Sequence, residues 1–178
     1  ATACCLEAGA REVRKAKTGD ERLALWKGRK KAFGAMGRLA PNLLVQDATV
    51  PRTRLPEVLA RITEICERYQ LRVANVFHAG DGNLHPNLVY DRRDPDEAHR
   101  VEEASRESMA ACVEAGGTIT GEHGVGFDKR KYMPLVFSPE ELRVLADVKE
   151  VFDPRGDFNP RKVVPDAYLR GAGRGGGE

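Results

Sequence analysis

Asp81-Gly82 is the tightest local constraint on how this chain can fold. An Asp-Gly pair between two strand-like runs is the strongest short signature of a two-residue β-hairpin. The flanks, Leu71 to Phe77 and Leu84 to Tyr90, read as the strands. With the turn centred on Asp81-Gly82, Gly80 pairs with Asn83, Ala79 with Leu84, and His78 with His85. The two imidazoles then stand opposite each other on one face, with Cβ atoms about 5 Å apart. That placement suits two ligands of one metal ion. An H-x6-H spacing alone is unspecific, however, and equally describes two surface histidines beside a turn. Asn87, two residues past His85, points to the same face. Pro86 lacks an N–H, so it requires a sheet edge or a non-bonded ladder position.

A second dense stretch is Gly121-Glu122-His123-Gly124-Val125-Gly126. Glycines allow positive φ and close approach of the backbone to a ligand. Neighbouring side chains of an extended segment point apart, so Glu122 and His123 can do two jobs, one at a metal and one at a substrate. With His78 and His85, Glu122 completes a set of two imidazoles and a carboxylate. Three protein ligands and an open position is the pattern of a catalytic zinc-type site, and the same donors admit Fe, Mn or Co. Taken singly, Glu122 and His123 are ordinary loop residues; the histidine pair makes them a site. The stretch does not match G-x-G-x-x-G, and no G-x-S-x-G or P-loop occurs.

Helices and strands alternate along the rest of the chain. Ala1 to Ala16 is rich in small residues and predicted helical. Asp20 caps a predicted helix over Glu21 to Met36, with Leu23, Trp26 and Phe33 on one side and a strongly basic remainder including Arg29. Leu43 to Asp47 is a short strand and Thr49 to Arg54 a loop. Pro56 opens a helix to about Tyr69, with Val58, Ile62, Ile65, Cys66 and Tyr69 as its apolar stripe. Asp94-Pro95-Asp96-Glu97 reads as a capping box for a helix to about Ala115, stopped by Gly116-Gly117. Thr118 to Thr120 is a short strand. Ser138-Pro139-Glu140-Glu141 opens a helix to about Phe152, with Leu142, Leu145, Val148 and Phe152 inward. Asp153 to Pro165 is irregular, and residues 166–178 form a flexible tail. The central hairpin argues for an α+β fold of ferredoxin-like type, with a largely antiparallel sheet and helices on one face.

With 178 residues the chain suits one domain, residues 1–165, with a real core. A net charge of +2 is too small to argue for nucleic acid. No apolar run is long enough to span a bilayer, and no signal peptide is visible at Ala1 to Ala10. Cys4, Cys5, Cys66 and Cys112 form no C-x-x-C pair, and the last two fall on apolar helix stripes as buried thiols. A reducing cytoplasm is the expected setting, with any membrane association coming through partners. The chain begins without Met, as a fragment of a longer protein would.

His78-Ala-Gly-Asp-Gly-Asn-Leu-His-Pro86, Gly121-Glu-His-Gly-Val-Gly126 and Phe158-Asn-Pro-Arg-Lys162 together resemble the C-terminal domain of FAD-linked 2-hydroxyacid dehydrogenases. These include D-lactate dehydrogenase and the glycolate oxidase flavin subunit, in the vanillyl-alcohol oxidase superfamily. Arg29 to Phe33 and Asp47 to Arg52 also look like the glycolate oxidase branch. The resemblance covers roughly Asp20 to Pro165. It implies oxidation of an α-hydroxy acid to an α-keto acid, with FAD taking the hydride. By the same resemblance His78, His85 and Glu122 bind a divalent metal, usually zinc, and His123 is the general base. Asn87 matches a substrate contact and Arg29 an arginine for the substrate carboxylate. By spacing alone, Arg29 is equally one basic residue among many on an exposed helix. Asn159 and Lys162 match a terminal segment that returns to the flavin.

The family's FAD-binding domain precedes this region, and nothing in the sequence resembles it. The expectation is a fragment, inactive alone and not holding FAD tightly. Partners implied are a small 2-hydroxy acid, the missing FAD-binding domain and, in some relatives, other oxidase subunits including an iron–sulfur subunit; a homodimer stays open. Two rival functions fit the residues. One is a self-contained divalent-metal hydrolase built on the two histidines and the glutamate. The other is a non-catalytic module that binds small acids. Asn159 to Lys162 and the basic helix favour the dehydrogenase, since a hydrolase needs neither.

Overall fold

The sheet is assembled around Pro86–Tyr90, the longest strand and the most buried. In the computed structural model, which describes residues 1–76 and 78–169, the elements run in a fixed order. They are α1 (Thr2–Glu7), α2 (Gly19–Met36), β1 (Asn42–Val45), β2 (Ala48–Thr49), α3 (Leu55–Arg68), β3 (Arg72–Asn75), β4 (Asn83–Leu84), β5 (Pro86–Tyr90), α4 (Pro95–Glu114) and α5 (Pro139–Phe152). The fold is α+β. Strands β1, β5 and β3 form an antiparallel sheet in that order, and β2 pairs antiparallel with β4. A single bridge sets Thr118 beside Thr49, where the sequence predicts a short strand.

Pro86 explains why two ladders exist instead of one. It begins the central strand, so it is not at an edge. Toward β3 it stands opposite Asn75. Toward β1 its carbonyl accepts from Gln46 N at 3.0 Å, and it has no N–H to return. Both long strands are interrupted here, at Gln46-Asp47 and at His85.

Helices α3 and α4 cover the sheet. Arg61 pairs with Glu114 and Arg68 with Glu107, each at 2.6 Å, so the two helices run antiparallel. Their inner stripes, Val58, Ile62, Ile65 and Cys66 facing Val101, Ala104, Met109 and Cys112, meet Leu84 and Leu88 in the core. The sequence-derived stripe of α3 is thus the buried one. Pro56 in its first turn, the Asp94 cap of α4 and the Ser138 capping box of α5 are all present. Glu97, however, reaches back to Asp91 N, beyond the cap residue.

Several expectations are corrected. The first helix ends at Glu7 instead of Ala16. Helix α2 starts one residue before Asp20, because the Thr18 hydroxyl accepts from Glu21 N and takes the cap. Leu23, Trp26 and Phe33 do not pack inward; Met36 is the only buried residue of α2. Val148 and Phe152 of α5 are exposed, Phe152 to 81%, while Leu142 and Ala146 face the core. The flexible-tail expectation falls mostly on residues 170–178, outside the described residues; Asp166–Tyr168 within it form a 3-10 turn. Among the described residues no helix is long and apolar enough to cross a membrane.

Candidate metal and acid–base site

The hairpin exists, but its turn spans four residues, Ala79 to Gly82. His78 pairs with Asn83, and Val76 N donates to the His85 carbonyl at 3.3 Å. The register therefore differs by two residues from the predicted one. A two-residue turn of type I′ needs positive φ at both central residues. Only Gly82 has it, at +72°, and Ala79–Asp81 close a 3-10 turn instead. Tertiary packing selects this form: Val50 N donates to Gly82 O at 2.9 Å, and a Cβ on Gly82 would lie 2.2 Å from Val50 O. A shift of two preserves the face. The histidines are diagonal instead of opposite, with ring centroids 5.6 Å apart.

His85 is the floor of the site, with 3% of its side chain exposed, whereas His78, Glu122 and His123 are each about half exposed. Its Nδ1 lies 3.1 Å from the Gln46 carbonyl. A carbonyl only accepts, so Nδ1 carries the proton and the Nε2 lone pair faces the site. That lone pair is 3.1 Å from Glu122 Oε1. Two lone-pair atoms this close are spaced as two ligands of one cation are. His78 Nε2 is 3.8 Å from the same oxygen. A tetrahedral ion with bonds of about 2.1 Å holds its ligand atoms about 3.4 Å apart. The spacing of His78, His85 and Glu122 brackets that value, so the donor set fits a zinc-type ion. His123 stacks on His85 with centroids 5.2 Å apart, and its Nε2 is 3.7 Å from Glu122 Oε1.

Beneath this cluster lies Asp47, which the sequence reading passed over as the end of a strand. It is fully buried. Its Oδ2 accepts from the backbone N–H of Gly121 (3.0 Å), Glu122 (3.2 Å) and His123 (2.9 Å) and from the Thr120 hydroxyl (2.9 Å). Its Oδ1 accepts from Asn83 Nδ2 at 3.2 Å. The Lys129 ammonium is 3.2 Å away. Burial pushes the Asp47 carboxyl up, but the His123 and Gly121 N–H groups, the Thr120 hydroxyl and Lys129 outweigh it and hold it well below the usual carboxylate range. Lys129 is pushed down by burial, against the pull of Asp47. The missed signal was polar Gln46-Asp47 inside an otherwise apolar strand run. Gly121 is required for close approach: a Cβ there would meet Asn83 Nδ2 at 2.3 Å.

The other sequence-derived residues are placed differently. Asn87 is fully buried; its Nδ2 donates to Ala74 O and His85 O, and its Oδ1 has no partner among the described residues. Arg29 sits on α2, and among the described residues no hydrogen bond or ion pair ties it to the cluster. Asn159 and Lys162 are exposed and line a separate apolar cavity of about 460 Å³ with Phe152, Phe158 and Val148. That segment is anchored to the glycine loop by Val163 N donating to Gly126 O at 2.8 Å.

The sequence profile of the family described as FAD linked oxidases, C-terminal domain, matches residues 1–163. Glycolate oxidase subunit GlcD of Escherichia coli (strain K12) is 47% identical over 163 residues, covering 92% of this chain and 33% of that protein. Glycolate oxidase subunit GlcD of Bacillus subtilis (strain 168) is 40% identical over 169 residues, covering 94% and 36%. The mitochondrial D-lactate dehydrogenase (cytochrome) of Arabidopsis thaliana is 32% identical over 143 residues, covering 79% and 25%. The chain thus spans about a third or less of the length of these relatives.

Proposed function

The chain belongs to the C-terminal domain family of the FAD-linked oxidases, and from that we propose that it is the substrate-side domain of a flavoprotein oxidising a small 2-hydroxy acid to the 2-keto acid. One observation carries the reading. His78, His85 and Glu122 bring three ligand atoms within 4.8 Å of one another, with a fourth residue, His123, against the same carboxylate.

His78 Nε2, His85 Nε2 and Glu122 Oε1 would hold a divalent ion, best matched to zinc. Such an ion would supply Lewis-acid chemistry, orienting the hydroxyl and carboxylate of the acid and lowering the hydroxyl pKa. FAD, held mainly by the rest of the longer protein, would supply the acceptor for the α-carbon hydride. The remaining work belongs to this chain. His123 Nε2 takes the hydroxyl proton as the carbonyl forms. His85 keeps its ring fixed through Nδ1–H to the Gln46 carbonyl. The half-exposed rim of His78, Glu122 and His123 leaves the cluster open to a small acid. Asn87 then acts behind His85, since its amide is engaged by backbone carbonyls. Arg29 is assigned to the substrate carboxylate, and Asn159 and Lys162 to the segment that meets the flavin-bearing part.

The test joins metal analysis with turnover. The chain joined to a flavin-binding region like that of its longer relatives is expected to reduce an artificial electron acceptor with glycolate or D-lactate. His123→Ala is expected to lower that rate by about 100-fold or more with the metal retained. Bound zinc with no oxidation of any 2-hydroxy acid, but with hydrolytic turnover, would favour a metal hydrolase instead.

A further inference from the structure

Gln46 and Asp47 occupy the gap between β1 and β2. The gap exists because Pro86 offers no N–H across from it. Gln46 N still bonds Pro86 O, but its carbonyl is left free of the ladder and, with the Asp47 side chain, faces the site from below. The Gln46 carbonyl holds His85 Nδ1, and the Asp47 carboxylate holds three consecutive N–H groups of the glycine loop. We propose that Asp47 is the positioning residue of the cluster, an internal anion that shapes the Gly121-Glu122-His123 backbone and so aims the Glu122 carboxylate and the His123 ring at His85.

Successive N–H groups converging on one atom curl the backbone into an anion-binding nest. Nests of this kind usually take a ligand; here a side chain 74 to 76 residues away in sequence fills it. Six donors surround the carboxylate: three N–H groups, the Thr120 hydroxyl, Asn83 Nδ2 and Lys129 Nζ. A carboxylate has about four lone-pair sites, and an amide oxygen about two, so no neutral isostere satisfies this set. Lys129 balances the charge that the nest demands. One interrupted strand thereby positions both halves of the site, the imidazole floor and the Glu122-His123 rim. The consequence for metal binding rests on the metal reading above; the geometry does not.

The discriminating variant is Asp47→Asn combined with Lys129→Met in the full 178-residue chain. The amide fits without steric change, because the Asn83 side chain can turn over and present its Oδ1, which has no partner among the described residues. Removing Lys129 avoids leaving a buried cation without a counter-charge. Two readouts are taken: hydrogen exchange at assigned backbone amides, and affinity for Co2+ by chelator competition together with its absorption spectrum. Exchange at Gly121, Glu122 and His123 is expected to accelerate by at least about tenfold, while Ile62 in α3 stays protected as in the unsubstituted chain. Co2+ affinity is expected to fall by about 10- to 100-fold, with an altered spectrum. Unchanged exchange at the three loop amides would overturn the proposal, and so would Co2+ affinity equal to that of the unsubstituted chain. If the unsubstituted chain takes up no Co2+, the metal reading fails, and loop exchange alone decides the role of Asp47.

Discussion

His85 shows how much of a site can depend on one backbone carbonyl. Its Nδ1 proton goes to Gln46 O, and this leaves Nε2 as a lone pair against Glu122 Oε1. Loss of either partner in that contact is expected to cut zinc affinity by more than about 100-fold, since on the proposed reading each would be a ligand instead of an outer support. Chelator competition on His85→Ala and Glu122→Gln measures it. The cysteines make a separate prediction. Burial pushes the Cys66 thiol up to about 11, helped by Glu67, and Cys112 up to about 12 against a small pull from Arg61. Cys4 and Cys5 are exposed. At neutral pH a thiol-reactive disulfide is therefore expected to label Cys4 and Cys5 and to reach Cys66 and Cys112 only on unfolding. The sign of the pH effect follows. Unfolded thiols ionise near 8.5 while the folded ones stay protonated, so above about pH 8.5 the unfolded state releases more protons and stability falls as pH rises. Denaturant midpoints across that range check it. The His78, His85 and Glu122 grouping was legible in the sequence at this scale; Asp47 was not, because all its meaning comes from groups 36 to 82 residues distant.

At the scale of elements, the hairpin is held as much by what lies beneath it as by its own turn. Gly82 combines φ +72° with a backbone approach that leaves no room for Cβ. Gly82→Ala is expected to destabilise by more than about 1 kcal/mol, read from urea unfolding, and to loosen His78 without touching a ligand atom. The short-range signal was correct about a turn and wrong about its length. An Asp-Gly pair reports local preference, whereas register is decided by the β3–β5 ladder and the Val50 contact. Helix ends behaved differently. Ser138, Asp94 and Pro56 act within a single turn of their own sequence, and each caps or opens its helix as predicted, although Glu97 reaches past Asp94 to Asp91 N instead of closing a capping box. Thr18 displaced Asp20 for the same local reason, a hydroxyl placed three residues before the Glu21 N–H.

Across the whole molecule, the core lies between α3, α4 and the sheet, while α2 and the outer side of α5 carry exposed apolar residues. Trp26, the sole tryptophan, is 57% exposed on α2, and Phe152 and Phe158 are exposed beside α5. These faces match a chain that spans about a third of its longer relatives. Expressed as these 178 residues, the protein is expected to bind a divalent ion yet purify without stoichiometric flavin. A flavin absorption spectrum at one per chain would refute that expectation.

The sequence by itself determined what rests on near neighbours: helix starts, the buried stripe of α3, the presence of a hairpin, and the residue types of a two-histidine, one-carboxylate site. Those features depend on spacing and on groups a few residues apart. Only the tertiary structure decided which residues meet. It set the hairpin register by two residues, turned Val148 and Phe152 outward, and buried Asp47 beneath the loop it organises. The physical reason is that hydrogen-bond partners across a broken strand are chosen by three-dimensional packing, and a side chain such as Asp47 carries no local mark of the donors that will surround it.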